Sequence, residues 1–112
     1  MKEQSVSSSI AHRSSSISLF YNARSALYHG IRALGIGSWD EIILQAYTCV
    51  SVPNAIIATG AKPIYCDIDP ETLNIDPHKI IQLITPKTKA ILIQHTFWIS
   101  ADIQSIQTIC TD

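Results

Sequence analysis

Residues 42 to 69 have the sequence IILQAYTCVSVPNAIIATGAKPIYCDID, which predicts a strand, a helix and a second strand in succession. Residues 42 to 44 and 64 to 66 are short apolar runs, and such continuous runs are typical of strands buried on both faces. The second run is followed by two acids, Asp67 and Asp69.

The helix between these strands has recognisable ends. Ser51 is predicted to cap it, and Pro53 lies in its first turn, where a missing N–H costs no hydrogen bond. Gly60 is predicted to stop it. Its interior, residues 55 to 58, is apolar on all sides, so we expect this helix to be sandwiched between other elements.

The segment before this unit predicts one further strand and one helix. Residues 17 to 21 form a plausible short strand, and Asn22 has a cap-type side chain that opens a helix to residue 34. Apolar side chains recur along that helix at three- and four-residue spacings and form one stripe. Gly30 lies on the stripe and predicts close packing, while Gly35 supplies the C-terminal stop.

The segment after the unit predicts two helices and a strand. An acidic cap, Asp76, precedes a proline, so a helix is expected over residues 77 to 84. Residues 90 to 93 form a third apolar strand. Ser100 is predicted to cap a last helix over residues 101 to 109.

Strands that alternate with helices of these lengths predict an α/β fold, with an incomplete parallel sheet covered by helices on both faces. The chain has 112 residues, which suits one domain. We expect that domain to occupy residues 17 to 112. The Ser-rich residues 1 to 16 lack apolar periodicity and predict a mobile tail.

The net charge and the apolar runs give no support to several classes of protein. A net charge of −1 gives no electrostatic case for a nucleic-acid partner. No apolar run approaches the roughly 18 residues of a membrane span, and the N-terminal segment lacks the apolar centre of a signal peptide. The three cysteines are odd in number and are not closely paired, so we expect free thiols and a cytoplasmic location.

Polar residues collect where the predicted strands end. In open parallel sheets ligands bind beyond the carboxyl ends of the strands. The candidate binding segments are residues 22–25, 45–51, 67–69 and 94–98. The alternative for each segment is that polar residues gather in any loop.

The first two segments offer groups that suit a phosphorylated, planar ligand. A helix that opens at residues 22–25 presents free N–H groups to a phosphate, assisted by the Arg24 guanidinium and the Ser25 hydroxyl. An ordinary capped helix with a surface arginine is the alternative. Tyr47 and Cys49 could offer an aromatic face and a thiol, although both residue types also occur at buried strand ends.

The remaining candidates favour structural roles. A nucleophilic Cys49 would need a base such as His95 beside it, and we regard a cysteine hydrolase as the weaker hypothesis. Asp67 and Asp69 are better explained by a turn, and the scattered histidines predict no metal site. Trp39 and Trp98 are predicted to be packing or interface residues.

An ordered set of short motifs resembles the amino-terminal part of the DegT/DnrJ/StrS aminotransferases. The resemblance extends over nearly all of the expected domain, and the set is far more specific than any single motif. The motifs are NARSAL (22–27), RALGIG (32–37), DEII (40–43), YTCV (47–50), PNAI (53–56), GAKP (60–63), DID (67–69), TLNID (72–76), TPKTKAI (85–91), HTF (95–97) and ADI (101–103).

The resemblance implies a fold type I pyridoxal-phosphate enzyme, usually a homodimer, that moves an amino group to a nucleotide-linked keto sugar. Ala23 and Arg24 correspond to the pair that receives the cofactor phosphate, and Ser25 adjoins them. Cys49 stands where many members place an aromatic ring against the cofactor, and Tyr47 could contribute to that contact. Trp98 replaces the glycine usual after His-Thr-Phe.

Two groups that the family uses for catalysis fall beyond Asp112, namely the aspartate that pairs with the pyridine nitrogen and the Schiff-base lysine. We therefore expect this chain to be a fragment and to be inactive alone. The alternative is a non-enzymatic α/β module that binds a phosphorylated ligand or a partner chain. A sheet cut short also exposes an edge, which predicts self-association.

Overall fold

The computed structural model describes residues 17 to 111, so the predicted tail over residues 1 to 16 lies outside the described residues. Two 3₁₀ helices, Ile81–Leu83 and Thr96–Trp98, accompany the main elements. The main elements in chain order are α1 (Ala23–Ala33), β1 (Glu41–Gln45), α2 (Ser51–Ala58), β2 (Lys62–Cys66), α3 (Pro77–Ile80), β3 (Thr88–Leu92) and α4 (Ile103–Thr111).

The three strands form one parallel sheet in the order β2-β1-β3. Ile43 in the central strand pairs with Ile64 on one side and Ile91 on the other. All five residues of β1 are buried, as the continuous apolar run predicted. The parallel α/β fold predicted from the sequence is confirmed.

Helices cover both faces of the sheet because successive side chains of β1 point to opposite faces. On one face, Ile42 belongs to a buried cluster with Ile31 of α1 and Ile56 of α2. On the other face, Ile43 belongs to a cluster with residues of α3 and α4, among them Ile106. The predicted arrangement of helices on both faces is therefore confirmed.

The predicted strand at residues 17 to 21 is wrong. This segment is extended or bent without strand pairing, and the side chains of Ile17, Leu19 and Tyr21 are exposed. A strand is stabilised by hydrogen bonds to a neighbour, and within residues 17 to 111 no strand lies beside this segment. A strand-like run of residues is therefore not sufficient to form a strand without a neighbouring strand.

Helix α1 begins after Asn22 as the sequence predicted and ends at Ala33, one residue before the predicted end, but it packs less closely than predicted. The Asn22 side chain accepts a 2.8 Å hydrogen bond from the Ser25 N–H, and Gly35 follows the helix with a φ of 76°. A Cβ built on Gly30 would meet no atom within 4 Å, so the predicted close packing at Gly30 is wrong. Among the residues of this helix, only Ile31 is fully buried.

The predictions that Ser51 caps α2 and that this helix is sandwiched between other elements are both wrong. Val50 occupies the cap position without a side-chain hydrogen bond, and Ser51 is already the first helical residue. Ile56 is buried but Ile57 is 55% exposed, because only one face of the helix packs on the sheet. The predicted stop is confirmed: Gly60 follows the helix with a φ of 90°.

The last two helices differ from prediction at their ends. Asp76 caps α3 as predicted, accepting a 3.0 Å hydrogen bond from the His78 N–H, but the α-helix gives way to a 3₁₀ turn after Ile80. The cap of α4 is not Ser100. Asp102 accepts a 3.1 Å hydrogen bond from the Ser105 N–H and so serves as its cap.

No helix in the described part of the chain has the length and apolar character needed to cross a membrane.

Candidate functional site

The chain segments after β1 and β3 line one cavity of about 390 Å³ at the carboxyl edge of the sheet. Because these strands are adjacent and parallel, their carboxyl ends meet at one edge. Two of the four predicted binding segments, residues 45–51 and 94–98, are thereby brought together. The lining residues are Tyr47, Thr48, Cys49, Gln94, His95, Thr96 and Phe97.

A hydrogen bond joins the two sides of this cavity. The Thr48 hydroxyl donates to Oε1 of Gln94 at 2.6 Å, and the Gln94 amide lies 3.4 Å from the Thr96 hydroxyl oxygen. These contacts satisfy polar groups that would otherwise be left in a half-buried wall. The cavity therefore has a defined polar side.

An aromatic pair forms another part of the wall. The rings of Tyr47 and Phe97 lie 6.4 Å apart between centroids and are tilted by 51°. The Tyr47 side chain is half exposed, so its ring remains accessible to a planar ligand. Tyr47 thus lies where the sequence analysis placed an aromatic contact.

Cys49 is an exposed thiol with an altered ionisation. The Ser51 hydroxyl donates a 3.1 Å hydrogen bond to the Cys49 sulfur, and this bond is the main cause of a pKa below the usual range. The Ser51 backbone and the positive charge of Arg24 lower the pKa further, while partial desolvation opposes them. The thiolate is favoured because hydrogen-bond donors and a positive charge stabilise the anion.

The predicted alternative of a Cys49–His95 catalytic pair is not supported. The Cys49 sulfur accepts a hydrogen bond from the Ser51 hydroxyl, and Nδ1 of His95 accepts a 3.0 Å hydrogen bond from the Ala101 N–H. Both groups line the cavity, but no hydrogen bond joins these two described residues. The histidine nitrogen holds the chain before α4 instead.

The N-terminus of α1 carries the positive charge of Arg24, which contributes to the lowered pKa of the Cys49 thiol. The Asn22 side chain accepts a hydrogen bond from the Ser25 N–H. The first-turn N–H groups of Ala23 and Arg24 have no intrahelical acceptor. Ala23 and Arg24 are both exposed. Two amide donors and a guanidinium are therefore available to an anion.

The third predicted segment, residues 67–69, is not part of the cavity lining. Asp69 accepts a 2.9 Å hydrogen bond from the Glu71 N–H, which confirms the turn. Asp67 forms an exposed ion pair with Lys79 at 3.4 Å. Across residues 17 to 111, no three His, Cys, Asp or Glu side chains are grouped so that they could share a metal ion.

Trp39 and Trp98 do not pack in the core. Trp39 is 82% exposed and Trp98 is fully exposed, so the packing alternative is wrong for both. The interface alternative stays a prediction. Both residues have positive φ, 75° at Trp39 and 67° at Trp98, which places them in tight turns.

Sequence reasoning missed Asn74, which is 2% exposed and bonds to the segment after β3. It lies in a connection rich in turn residues, where an asparagine is normally explained by the turn itself. Nothing in the local pattern indicated that its side chain points inward. Its partners are more than twenty residues away along the chain.

The fold and the cavity together describe an α/β protein with a cavity at the carboxyl edge of a parallel sheet, the edge where open parallel sheets bind ligands. The family model described as the DegT/DnrJ/EryC1/StrS aminotransferase family matches residues 10–112. The chain belongs to this family.

Individual relatives agree with this assignment. The chain is 44% identical to the spore coat polysaccharide biosynthesis protein SpsC of Bacillus subtilis over 84 residues, which are 75% of this chain and 22% of that protein. It is 40% identical over 90 residues to the UDP-2-acetamido-2-deoxy-3-oxo-D-glucuronate aminotransferase of Pseudomonas aeruginosa, with 80% of this chain and 25% of that protein covered. The chain thus spans about a quarter or less of these relatives.

Solved structures give the same fold. The structure of NtdA from Bacillus subtilis with bound cofactor PMP matches with a TM-score of 0.76 and 42% identity, covering 79% of this chain and 20% of that one. The aminotransferase from Psychrobacter cryohalolentis matches with a TM-score of 0.77 and 32% identity, covering 80% and 23%. The α/β architecture is that of these aminotransferases.

Proposed function

We propose that this chain forms the amino-terminal part of the large domain of a pyridoxal-phosphate-dependent aminotransferase that acts on nucleotide-linked keto sugars. Family membership supports the proposal, and so do relatives whose names describe aminotransferases of nucleotide-linked sugars. The complete enzyme is proposed to be a homodimer. A cytoplasmic location stays a prediction that rests on the odd number of cysteines.

The cofactor phosphate is assigned to the N-terminus of α1. The N–H groups of Ala23 and Arg24 have no intrahelical acceptor, and the positive end of the helix dipole favours an anion there. The Arg24 guanidinium and the Ser25 hydroxyl add two further donors. These groups fit a phosphate monoester.

The cofactor ring is assigned to the cavity, beside Tyr47 and Cys49. The observation that carries the proposal is that Tyr47 and Cys49 both line the cavity at the carboxyl edge of the sheet, in a chain that belongs to an aminotransferase family. The half-exposed Tyr47 ring offers an apolar face to the pyridine ring. When bound, pyridoxal phosphate serves as the electron sink for amino transfer.

This chain's residues bind and orient the cofactor but do not supply the catalytic amine. Among the residues that line the cavity there is no lysine. We therefore expect the 112-residue chain alone to show no transaminase turnover. Treating it with pyridoxal phosphate and then borohydride should label no single lysine selectively.

A pair of arginine variants on α1 tests the phosphate assignment. We expect Arg24→Ala to weaken pyridoxal phosphate binding by about tenfold or more, the loss expected for one charged hydrogen bond. Arg32→Ala removes the same charge from the last turn of the helix and should leave binding unchanged. Pyridoxal, which lacks the phosphate, should not distinguish the two variants. An equal effect of both variants on pyridoxal phosphate binding would contradict the assignment.

The alternative of a non-enzymatic module gives a different result in the same assay. A generic anion site at the N-terminus of α1 would bind any phosphate monoester equally well. Competition of pyridoxal phosphate with glycerol phosphate at equal concentration separates the two hypotheses. Preference for pyridoxal phosphate that is lost in Tyr47→Ala would favour the aminotransferase assignment.

A further inference from the structure

The turn after β3 has an unfavourable backbone. Phe97 has a φ of 50° and a ψ of 42°, and Trp98 has a φ of 67°, so two adjacent residues with side chains are left-handed. This conformation costs about 1–2 kcal/mol for a residue other than glycine. The turn therefore requires contacts that hold it in place.

Asn74 supplies two such contacts, one on each side of the left-handed pair. Its Oδ1 accepts a 2.8 Å hydrogen bond from the Thr96 N–H, and its Nδ2 donates a 3.0 Å hydrogen bond to the Ile99 carbonyl. The backbone carbonyl of Asn74 accepts from the Asp69 N–H at 2.9 Å, so the residue is itself anchored. Because Asn74 is 2% exposed, water does not compete for these bonds.

Gln45 holds the same turn from the central strand. Three acceptors surround its Nε2, namely the Tyr47 carbonyl at 2.7 Å, the Thr96 hydroxyl oxygen at 3.0 Å and the Leu73 carbonyl at 3.2 Å, and they share its two hydrogens. Its Oε1 is buried and accepts no hydrogen bond from the described residues. The Gln45 amide thus links the segment after β1, the connection before α3 and the turn after β3.

The two rings in the cavity wall depend on this network. The Tyr47 carbonyl accepts a hydrogen bond from Gln45. Thr96, which precedes Phe97, is hydrogen-bonded to both Gln45 and Asn74. We infer that Asn74 is a positioning residue of the cavity: its side-chain amide holds the turn 96–99 in a disfavoured conformation and thereby sets the place of the Phe97 ring beside Tyr47. Asn74 does not itself line the cavity.

This role of Asn74 concerns the shape of the cavity and does not depend on which ligand binds there. It rests on the proposed function only for the choice of pyridoxal phosphate as the probe. Hydrogen exchange therefore tests the positioning role, and ligand binding tests its consequence.

Residue-resolved amide hydrogen exchange on the full chain compares two amides. In Asn74→Ala, the Thr96 N–H loses its acceptor and should exchange about tenfold faster relative to the N–H of Ile43 in the core. Asn54→Ala makes the same substitution at an exposed position of α2 and should change neither amide. If Thr96 and Ile43 accelerate by the same factor in Asn74→Ala, Asn74 only stabilises the fold and the inference is wrong.

A second variant separates the two bonds and serves where the alanine variant does not fold. Asn74→Asp keeps an acceptor for the Thr96 N–H but loses the donor to the Ile99 carbonyl. With Trp39→Phe as background, Trp98 is the only tryptophan, and its fluorescence anisotropy should fall in Asn74→Asp while Thr96 stays protected. Unchanged anisotropy would overturn the inference.

Binding of pyridoxal phosphate by equilibrium dialysis completes the test. We expect Asn74→Asp to weaken binding by about threefold or more through misplacement of Phe97, and Asn54→Ala to leave it unchanged. Equal affinity of Asn74→Asp and the unmodified chain would contradict the inference. If the unmodified chain binds no pyridoxal phosphate, the proposed function fails, while the exchange and anisotropy results still decide the role of Asn74.

Discussion

The Thr48 hydroxyl donates a 2.6 Å hydrogen bond to Oε1 of Gln94, and this contact joins the segment after the central strand to the segment after β3. The two residues are 46 positions apart in the chain, so the bond exists only once the parallel sheet has formed. The wall of the candidate site is therefore a product of the tertiary fold.

Removing this hydroxyl should destabilise the chain. We expect Thr48→Val, which keeps the shape of the side chain, to lower the free energy of unfolding by about 0.5–1.5 kcal/mol, because the Gln94 amide loses its partner. Urea denaturation followed by circular dichroism measures the change. Thr48→Ser retains the hydroxyl and should lie within about 0.5 kcal/mol of the unmodified chain. A loss in Thr48→Ser as large as that in Thr48→Val would contradict the role of this hydrogen bond, because Thr48→Ser keeps the hydroxyl.

Two glycines should respond to alanine in opposite directions. Gly60 has a φ of 90°, and an added Cβ would lie 2.7 Å from the Ser38 hydroxyl oxygen and 3.3 Å from its backbone nitrogen. We expect Gly60→Ala to lower the free energy of unfolding by about 1–3 kcal/mol. Gly30 lies in α1 with open space around it, so Gly30→Ala should raise stability by up to about 1 kcal/mol. A loss of stability in Gly30→Ala would contradict the exposed position of that residue.

The buried Cys66 should make stability depend on alkaline pH. Burial is the main cause that raises the pKa of its thiol to about 11, and the nearby carboxylates of Asp76 and Asp67 add to it. The unfolded thiol ionises near pH ~8.5. The thiol has a higher pKa in the folded state than in the unfolded state. Its contribution to the free energy of unfolding is therefore complete below pH ~8.5 and is lost as the pH rises toward 11.

The comparison for this prediction is Cys66→Ala, which removes the titrating group. We expect the stability difference between the unmodified chain and Cys66→Ala to narrow as the pH rises from about 8.5 to 11. Urea denaturation at each pH gives the difference, so that ionisation of tyrosines and lysines cancels. A stability difference between the two chains that stays constant over this pH range would mean that the thiol has the same pKa in the folded and unfolded states.

Sequence patterns predicted the elements whose causes are local. The apolar run of β1, the Asn22 and Asp76 caps and the stop at Gly60 depend on residues within a few positions of one another, and the structure confirms all of them. The choice between Ser100 and Asp102 as the cap of α4 was missed, because both have cap-type side chains and only the position of the first helical turn decides between them.

The parts that sequence did not predict depend on long-range partners. Residues 17–21 have a strand-like pattern but no neighbouring strand among the described residues. Asn74 matters through bonds to residues 22 and 25 positions away, and a single sequence contains no record of such pairs. The ligand site was predicted at the level of strand ends, because that rule follows from topology, whereas the network behind the site was not.

The left-handed turn predicts a gain in stability on substitution by glycine. Trp98 is fully exposed, so its side chain makes little packing contribution, while its φ of 67° is disfavoured for any residue with a Cβ. We expect Trp98→Gly to be about 1 kcal/mol more stable than Trp98→Ala, since both lose the ring and only glycine relieves the backbone. Thermal or urea denaturation measures the difference. Equal stability of the two variants would show that residue 98 is not left-handed in solution.

The exposed edge of the sheet predicts self-association of this chain. β2 and β3 are the two edge strands among the described residues. β2 contains Lys62 and Pro63, which discourage further pairing, whereas β3 carries only Lys89 as a charge. We therefore expect β3 to pair with another chain, so that the weight-average mass from sedimentation equilibrium rises with protein concentration. Added salt should not reverse the association, because strand pairing uses uncharged backbone groups. Trp98→Ser should leave the association unchanged; if it abolishes the association, the aromatic turn and not the edge of β3 is the contact surface.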